Sequence, residues 1–391
     1  MSHLLVLRSG QVFDGERSRG EAGVLIQDGK ITDLDTSWAQ PPEGAEVVDF
    51  GSDACLLPGL IDAHVHLAFD ASADVVASLA ACDDNALSER MQAAATRALR
   101  AGVTTVRDLG DRNYLSLELR RRVPPAALPH IVAAGPPITT NSGHCYFMGG
   151  ETEGEAGLRS AVRERAARGC DVIKVMVSGG NLTAGSRPHE SQYGLAALRA
   201  LVDESHRAGL PSAAHVHAAQ AVADAFEAGF DTLEHVTFFT ANSVDADPAL
   251  LDRIAASGIV ISVTAGNIPD GSPPHPAIAQ RMAAIIANHG RMLRAGVTMI
   301  PGTDAGVSPG KPHDVLPYAL QALVERIGMT PLKALRAATS IAARAIGLQA
   351  AKGRIAAGSD ADVLVIRGNP LADIRSVTHV QAVFRAGVKV R

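Results

Sequence analysis

The sequence predicts an α/β protein: a (β/α)8 TIM barrel carrying a small β-sandwich domain built from both chain ends. Three observations predict it. A helix-like segment rich in Ala, Leu and Arg, closed by glycine and followed by a short apolar run, recurs as RALRAGVTTVRD, RAARGCDVIKVMV, SHRAGLPSAAHVH, AFEAGFDTLEHVTF, RIAASGIVISVTA and MLRAGVTMIPGTD. Two further apolar runs, LIDAHVHL and HIVAAGPPI, bring the strands to eight, the number that closes such a barrel. Both termini instead alternate apolar and polar residues, as antiparallel strands with one buried face do.

Taken in order, residues 1–57 contain LLVLRSGQVFDG and AGVLIQDGKITDLD, and residues 352–391 contain KGRIAAGSDADVLVIRGNP and VTHVQAVFRAGVKVR. Neither end has enough strands for a sandwich alone, so the two are expected to pair into one composite domain. Residues 58–351 are expected to form the barrel, with strands at 61–67, 103–108, 130–136, 171–178, 211–217, 231–237, 259–265 and 297–303. Glycine follows each helix because the left-handed C-cap conformation costs a residue without Cβ least.

Composition narrows the partners. Apolar residues make up 47% of the 391 and charged residues 20%, enough to bury a large core in a globular chain. A net charge of −5, with no basic cluster beyond Arg120, Arg121 and Arg122, argues against nucleic acid or an anionic membrane and for a small-molecule substrate. Cys55, Cys82, Cys145 and Cys170 match neither a zinc-finger nor a redox spacing and read as reduced thiols. The start lacks a leader pattern and no run of about 18 apolar residues occurs, so a cytoplasmic location is expected. No motif sets the oligomeric state, and a homo-oligomer stays open.

In such a barrel, chemistry comes from the C-terminal ends of the strands. His64 and His66 end the first strand and, at i and i+2, share a face. The fourth, fifth, sixth and eighth strands supply Lys174, His215, His235 and Asp304. Each alone has an ordinary reading: HxH occurs by chance, His217 competes with His215 as the inward residue, and Asp304 suits a helix N-cap. Their joint occurrence at one end of the strands points instead to a divalent cation, zinc first, with manganese and cobalt compatible. Strand parity turns Val172, Lys174 and Met176 inward and Ile173, Val175 and Val177 towards the helices. An ammonium beside a dication is untenable, so Lys174 is neutral, distant or chemically altered. A neutral lysine amine can add CO2 to form a carbamate.

LPGLIDAHVHL, IKVMVSGG, AAHVH, LEHVTF and PGTDAG, followed by ATSIAARAIGL and GRIAAGSDADVLVIRGNPL, together resemble the metal-dependent amidohydrolase superfamily. The likeness is greatest to its imidazolonepropionase-like branch, which includes prolidase-type dipeptidases acting on Xaa-Pro. It implies two metal ions: His64, His66 and Asp304 on one, His215 and His235 on the other, bridged by carboxylated Lys174 and a hydroxide. It implies hydrolysis of an amide or peptide-like C–N bond in a dipeptide or N-acyl amino acid, with Asp304 as general base and acid. His144, in the loop NSGHCYFMGGE, is placed to hydrogen-bond the attacked carbonyl. Tyr193 and either Arg187 or His189, in GGNLTAGSRPHESQYG, are implied to meet the substrate.

Other residues have weaker signals. His275, Lys311 and His313 are candidates for a substrate carboxylate, and Arg107 with Asp108 reads as an internal ion pair. A mononuclear cyclic amidohydrolase or deaminase is the alternative, though such relatives lack the lysine. A non-catalytic scaffold is disfavoured because all six ligand positions are filled, and a phosphate-binding barrel because Asp304 would repel phosphate.

Overall fold

The protein is described by a computed structural model over residues 4–35, 41–270 and 275–391. Five strands open the chain: β1 (Leu4–Phe13), β2 (Ser18–Gln27), β3 (Lys30–Asp35), β4 (Glu46–Asp49) and β5 (Ala54–Pro58). Eight follow between helices: β6 (Leu60–Val65), β7 (Val103–Asp108), β8 (His130–Ala133), β9 (Ile173–Met176), β10 (Ser212–Ala218), β11 (Thr232–Phe239), β12 (Val260–Val263) and β13 (Thr298–Pro301). Three end the chain: β14 (Val363–Arg367), β15 (Val380–Arg385) and β16 (Val388–Lys389).

Strands from the two ends share one sheet, in the order β16-β15-β14-β5-β1-β2-β3, with β4 also beside β1. Hydrogen bonding is continuous because β1 breaks register between Ser9 and Val12, and one of its edges serves two partners in turn. Leu5 to Arg8 pair with β4, and Gln11 and Val12 with β5. Alternation sorts the side chains as a pleated strand requires. Leu56, Val363, Val365 and Phe384 join Leu5, Leu7, Val24 and Ile26 in a core of their own, while Leu57, Leu364, Ile366 and Val383 face the main core.

The middle strands run parallel in two arcs, β6 to β8 and β9 to β13, each in chain order. Backbone bonds span both seams. Ile138 N–H donates to Lys174 O (2.9 Å) and Met176 N–H to Ile138 O (2.8 Å); His66 N–H donates to Ala305 O (3.0 Å) and Asp304 N–H to His64 O (2.7 Å).

Helices α1 (Val75–Ala80) and α2 (Asp84–Arg100) precede β7, α3 (Leu115–Arg122) precedes β8, α4 (Gly154–Arg168) β9 and α5 (Leu195–Arg207) β10. Then α6 (Ala219–Ala228) leads to β11, α7 (Pro248–Ser257) to β12, and α8 (Pro276–Ala279) with α9 (Met282–Arg294) to β13. Three more, α10 (Leu316–Ala322), α11 (Pro331–Ala337) and α12 (Ser340–Ala345), precede β14. Gly169 and Gly229 cap α4 and α6 at φ +87° and +85°, the left-handed stop that the repeated glycine predicts.

Parity along β9 and its two flanking residues divides the core. Ile173, Val175 and Val177 pack with the helices, whereas Val172 joins Ile61, Ala63, Val132, Ala213 and Ile300 in an inner cluster floored by Ala342, Ala343 and Ile346. Each buried Val, Leu or Ile contributes about 1.5–3 kcal/mol, so the outer layer holds the strands rigidly beneath the polar residues above. All four cysteines are free. No described helix is long and apolar enough to cross a membrane.

Candidate metal centre

Two clusters of donors meet at the C-terminal strand ends. At the end of β6, His64 Nδ1 lies 2.9 Å from Glu234 Oε2, and just beyond it His66 Nδ1 lies 3.4 Å from Gly110 O. Their outer nitrogens are thereby engaged, and both Nε2 atoms face Asp304 Oδ1, at 3.5 and 3.3 Å. In the second cluster His215 Nε2 donates to Gly179 O (3.2 Å), which leaves the lone pair on Nδ1. That Nδ1 lies 2.9 Å from His235 Nε2, while His235 Nδ1 meets Thr264 Oγ1 at 2.8 Å. Lys174 is fully buried, its Nζ 3.4 Å from His64 Nε2.

His217 belongs here too. Its ring stacks on His235 with centroids 4.4 Å apart, and its Nδ1 meets Thr237 Oγ1 at 2.9 Å. One donor atom from each of His215, His217 and His235 lies within 4.8 Å of the others, as do donors of His64, His66 and Asp304.

The electrostatics suit cation binding. Burial, with the nearby Lys174 charge, pushes His64 down to about 4. Burial and neighbouring imidazoles likewise hold His215 and His235 well below the usual histidine value. All three are neutral at pH 7, the ligating form. Burial pushes Lys174 down to about 8, against the pull of Glu234 and Asp304. Burial also opposes ionisation of Asp304, yet the hydrogen bond from His66 and the charge of Lys311 keep its carboxyl well below the usual range. Neutral imidazoles with committed outer nitrogens, plus one ionised carboxylate, are a donor set that fits divalent cations.

Backbone geometry aims two of the donors. In β11, Leu233 packs outward and Glu234 is inward, so a regular strand would turn His235 to the helices. Left-handed backbone at His235 (φ +69°) and Val236 (φ +50°) reverses it, and Asp304 sits at φ +58°. Each such residue costs about 1–3 kcal/mol, held in place by its surroundings. Asp62 holds the turn at Asp304: its carboxylate accepts from Thr303 N–H (2.9 Å), Thr303 Oγ1–H (2.6 Å) and His64 N–H (3.3 Å). Burial pushes Asp62 up to about 7.

The ion pair expected between Arg107 and Asp108 is absent. Neighbouring strand residues face opposite ways. Arg107 points inward to Glu234 Oε1 (2.8 Å), Thr232 Oγ1 (3.1 Å) and Ala63 O (2.7 Å), whereas Asp108 accepts from the Ser116 hydroxyl. Glu234, fully buried between Arg107 and His64, is the residue that sequence reasoning missed. The parity argument applied to Lys174 also turns Glu234 inward, so a signal existed.

The loop residues separate into two groups. His144 is buried near the second cluster, its ring centroid 4.8 Å from that of His215 and its Nδ1 3.2 Å from Thr183 Oγ1. Tyr193 instead packs in the core, its hydroxyl donating to Thr152 O (2.8 Å). Arg187 is exposed and paired with Glu190 (3.0 Å), on the rim of a cleft of about 370 Å³ that includes Ser142, Gly143 and Gln192. His189 lies 4.0 Å from Glu190, and His275 is exposed in a loop of which residues 271–274 lie outside the described set. Lys311 donates to Thr303 O (2.6 Å) and Thr264 O (3.2 Å), and His313 Nε2 to His66 O (3.1 Å). Those contacts make Lys311 and His313 braces for the loops that carry the donors.

Comparison with known proteins places these features in context. Residues 55–390 match the amidohydrolase family. The chain is 30% identical over 370 residues to ochratoxinase of Aspergillus niger, covering 83% of this chain and 74% of that protein. It is 26% identical over 417 residues to an imidazolonepropionase of Salinispora arenicola, covering 99% of this chain and 96% of that one. The crystal structure of a Xaa-Pro dipeptidase with bound methionine in the active site superposes with a TM-score of 0.87 at 25% identity, over 99% of this chain and 100% of that one.

Proposed function

The chain belongs to the amidohydrolase family and is a hydrolase of C–N bonds, and from that premise we propose a binuclear metal-dependent amidase acting on a small dipeptide-like or N-acyl amino acid substrate. One observation carries this reading: two donor clusters at the same strand ends, with buried Lys174 beside His64. The two arcs are read as one closed (β/α)8 barrel of residues 58–351, with a separate β domain from 1–57 and 352–391. The seam bonds beyond β8 and β13 support that closure.

In this proposal His64, His66 and Asp304 hold one ion and His215 and His235 the other, with Lys174, carboxylated, between them. Two bound dications, zinc by preference, would supply the Lewis acidity that activates water and the scissile carbonyl. Asp304 accepts the proton released from the attacking water, which its persistent ionisation permits, and returns it to the leaving nitrogen. His144 hydrogen-bonds the carbonyl oxygen, and its buried, neutral ring suits a donor with a fixed tautomer. The relatives named above span ochratoxinase and a Xaa-Pro dipeptidase, which supports an amide of an amino acid as substrate.

A second reading has one specific support. His215, His217 and His235 alone offer three imidazoles, which would hold a single ion without Lys174. Metal analysis of purified protein separates the two: about two ions per chain supports the binuclear centre, and one ion with no mass increase at Lys174 supports the other. Screening Xaa-Pro and N-acyl amino acids with Asp304→Asn as the blank tests the activity.

A further inference from the structure

We propose that Thr183 is a positioning residue that fixes the tautomer of His144, holding the ring proton on Nε2 so that this nitrogen donates to the carbonyl under attack. This rests on the amide hydrolysis proposed above and deepens it, because it names what makes His144 a donor. Three polar groups meet at the Thr183 hydroxyl. Cys145 N–H donates to its Oγ1 at 2.9 Å, and His144 Nδ1 lies 3.2 Å from it. Thr183, His144 and Cys145 are all buried, so a polar proton left unpaired among them is costly. A hydroxyl has one proton to give. Among the described residues no other hydrogen bond engages this hydroxyl. If Nδ1 carried the ring proton, both neighbours would donate to Oγ1, and the hydroxyl hydrogen would be buried without an acceptor. With Nδ1 as the acceptor all three groups are satisfied, and the proton of a neutral ring stands on Nε2. Burial, with His217 close by, pushes His144 down to about 3, so the ring is neutral at pH 7 and carries one proton.

A separate contact holds the backbone of His144. Gln192 Oε1 accepts from His144 N–H (2.6 Å), while Gln192 Nε2 donates to Met176 O (2.6 Å) and Thr139 Oγ1 (3.1 Å). Met176 ends β9, the strand of Lys174, so the loop that carries His144 is pinned to the same strand end as that lysine. Gly180 completes the seat. A methyl there would lie 2.3 Å from His144 Nε2, so the imidazole packs against bare backbone.

The free edge of the ring is the one that matters for substrate. Among the described residues Nε2 has no hydrogen-bond partner, and the ring centroid lies 4.8 Å from that of His215. A protonated, unpaired nitrogen beside the second donor cluster is a donor fixed in advance for a ligand oxygen. Thr183 acts only through that ring, and valine in its place removes the hydroxyl while keeping the branched shape.

The test uses zinc-loaded protein with isotope-labelled histidine, read by nitrogen NMR, the His144 signals being identified by their loss in His144→Gln. The parent is expected to show a protonated Nε2 and an unprotonated Nδ1 at His144, Thr183→Val a mixture of both tautomers, and Thr183→Ser the parental state. On N-acetyl-phenylalanine, Thr183→Val is expected to lose about tenfold in kcat with KM within about twofold, a part of the about 10²–10³-fold that deleting such a donor costs. Its metal content is expected to stay parental, and Thr183→Ser to restore kcat. A parental ring protonated on Nδ1, or the same tautomer in Thr183→Val as in the parent, overturns the proposal. So does an unchanged kcat in Thr183→Val, or a loss of activity that follows a loss of metal, which would make Thr183 a structural residue. If the parent does not cleave N-acetyl-phenylalanine yet the tautomer depends on Thr183, the hydrolytic reading fails for that substrate and the tautomer assignment stands.

Discussion

Replacing Glu234 with glutamine probes the buried link between the fold and the proposed metal centre. The carboxylate accepts from three donors: His64 Nδ1 (2.9 Å), Arg107 Nη2 (2.8 Å) and Thr232 Oγ1 (2.8 Å). It is fully buried, and although burial opposes its charge, Arg107 and the His64 hydrogen bond hold it ionised well below the usual range. A carboxamide of the same size keeps one oxygen and turns an NH2 on the remaining donors. If the oxygen stays with Arg107, the NH2 faces His64, whose Nδ1 must then accept, which moves the ring proton to Nε2 and removes the lone pair aimed at the cation. If the oxygen serves His64, Arg107 keeps only the neutral acceptors Ala63 O and Thr232 Oγ1. Removing one partner of a buried ion pair costs about 3–5 kcal/mol, and losing the residue that orients a metal-ligating histidine costs about 10–100-fold in affinity. Chelator competition reads the affinity and urea unfolding the stability. The double variant Glu234→Leu/Arg107→Met is expected to regain most of the stability but none of the metal affinity. Parental metal retention in Glu234→Gln would refute this reasoning.

Further outcomes follow from the same geometry. Asp304→Asn and Lys174→Ala should each lose nearly all turnover, about 10²–10⁴-fold for the proton-transfer role of Asp304, and wild-type rates in Lys174→Ala would remove that residue from the centre. Gly180→Ala places a methyl 2.3–2.7 Å from the His144 imidazole. It should lower kcat without changing metal content, and unaltered kinetics would show that His144 does not meet substrate. Asp14 is desolvated, but Arg17 and Glu16 N–H bonds and Arg19 outweigh this and lower its pKa. Its stabilisation is therefore full above the unfolded value of about 3.9 and is lost as pH falls through the lower folded value. Asp14→Asn should destabilise at pH 7 and converge on the parent in acid; a constant difference down to the acid limit would contradict this.

How far the sequence could be read is seen in particular residues. The repeat of helix, glycine and apolar run located six of the parallel strands and two further apolar runs the other two, because local capping and hydrophobic runs are written in consecutive residues. Parity foresaw a lysine inside β9, since alternation is a local rule. It failed to pair Arg107, whose partner Glu234 is 127 positions away across the interior. The setting of Tyr193 was out of reach for a similar reason: its hydroxyl goes to Thr152 O, a loop carbonyl 41 residues away whose position no local pattern specifies.

The sequence by itself determined the element order, the two-sided chain-end strands and the residue types able to bind cations, all consequences of short-range propensity and pattern. Only the tertiary structure decided which of them converge. His235 and Asp304 reach the centre through left-handed backbone that neither residue favours alone, held by packing around Val236 and by Asp62 on Thr303. Such strain persists only when a completed core outweighs it, so no local pattern could announce it.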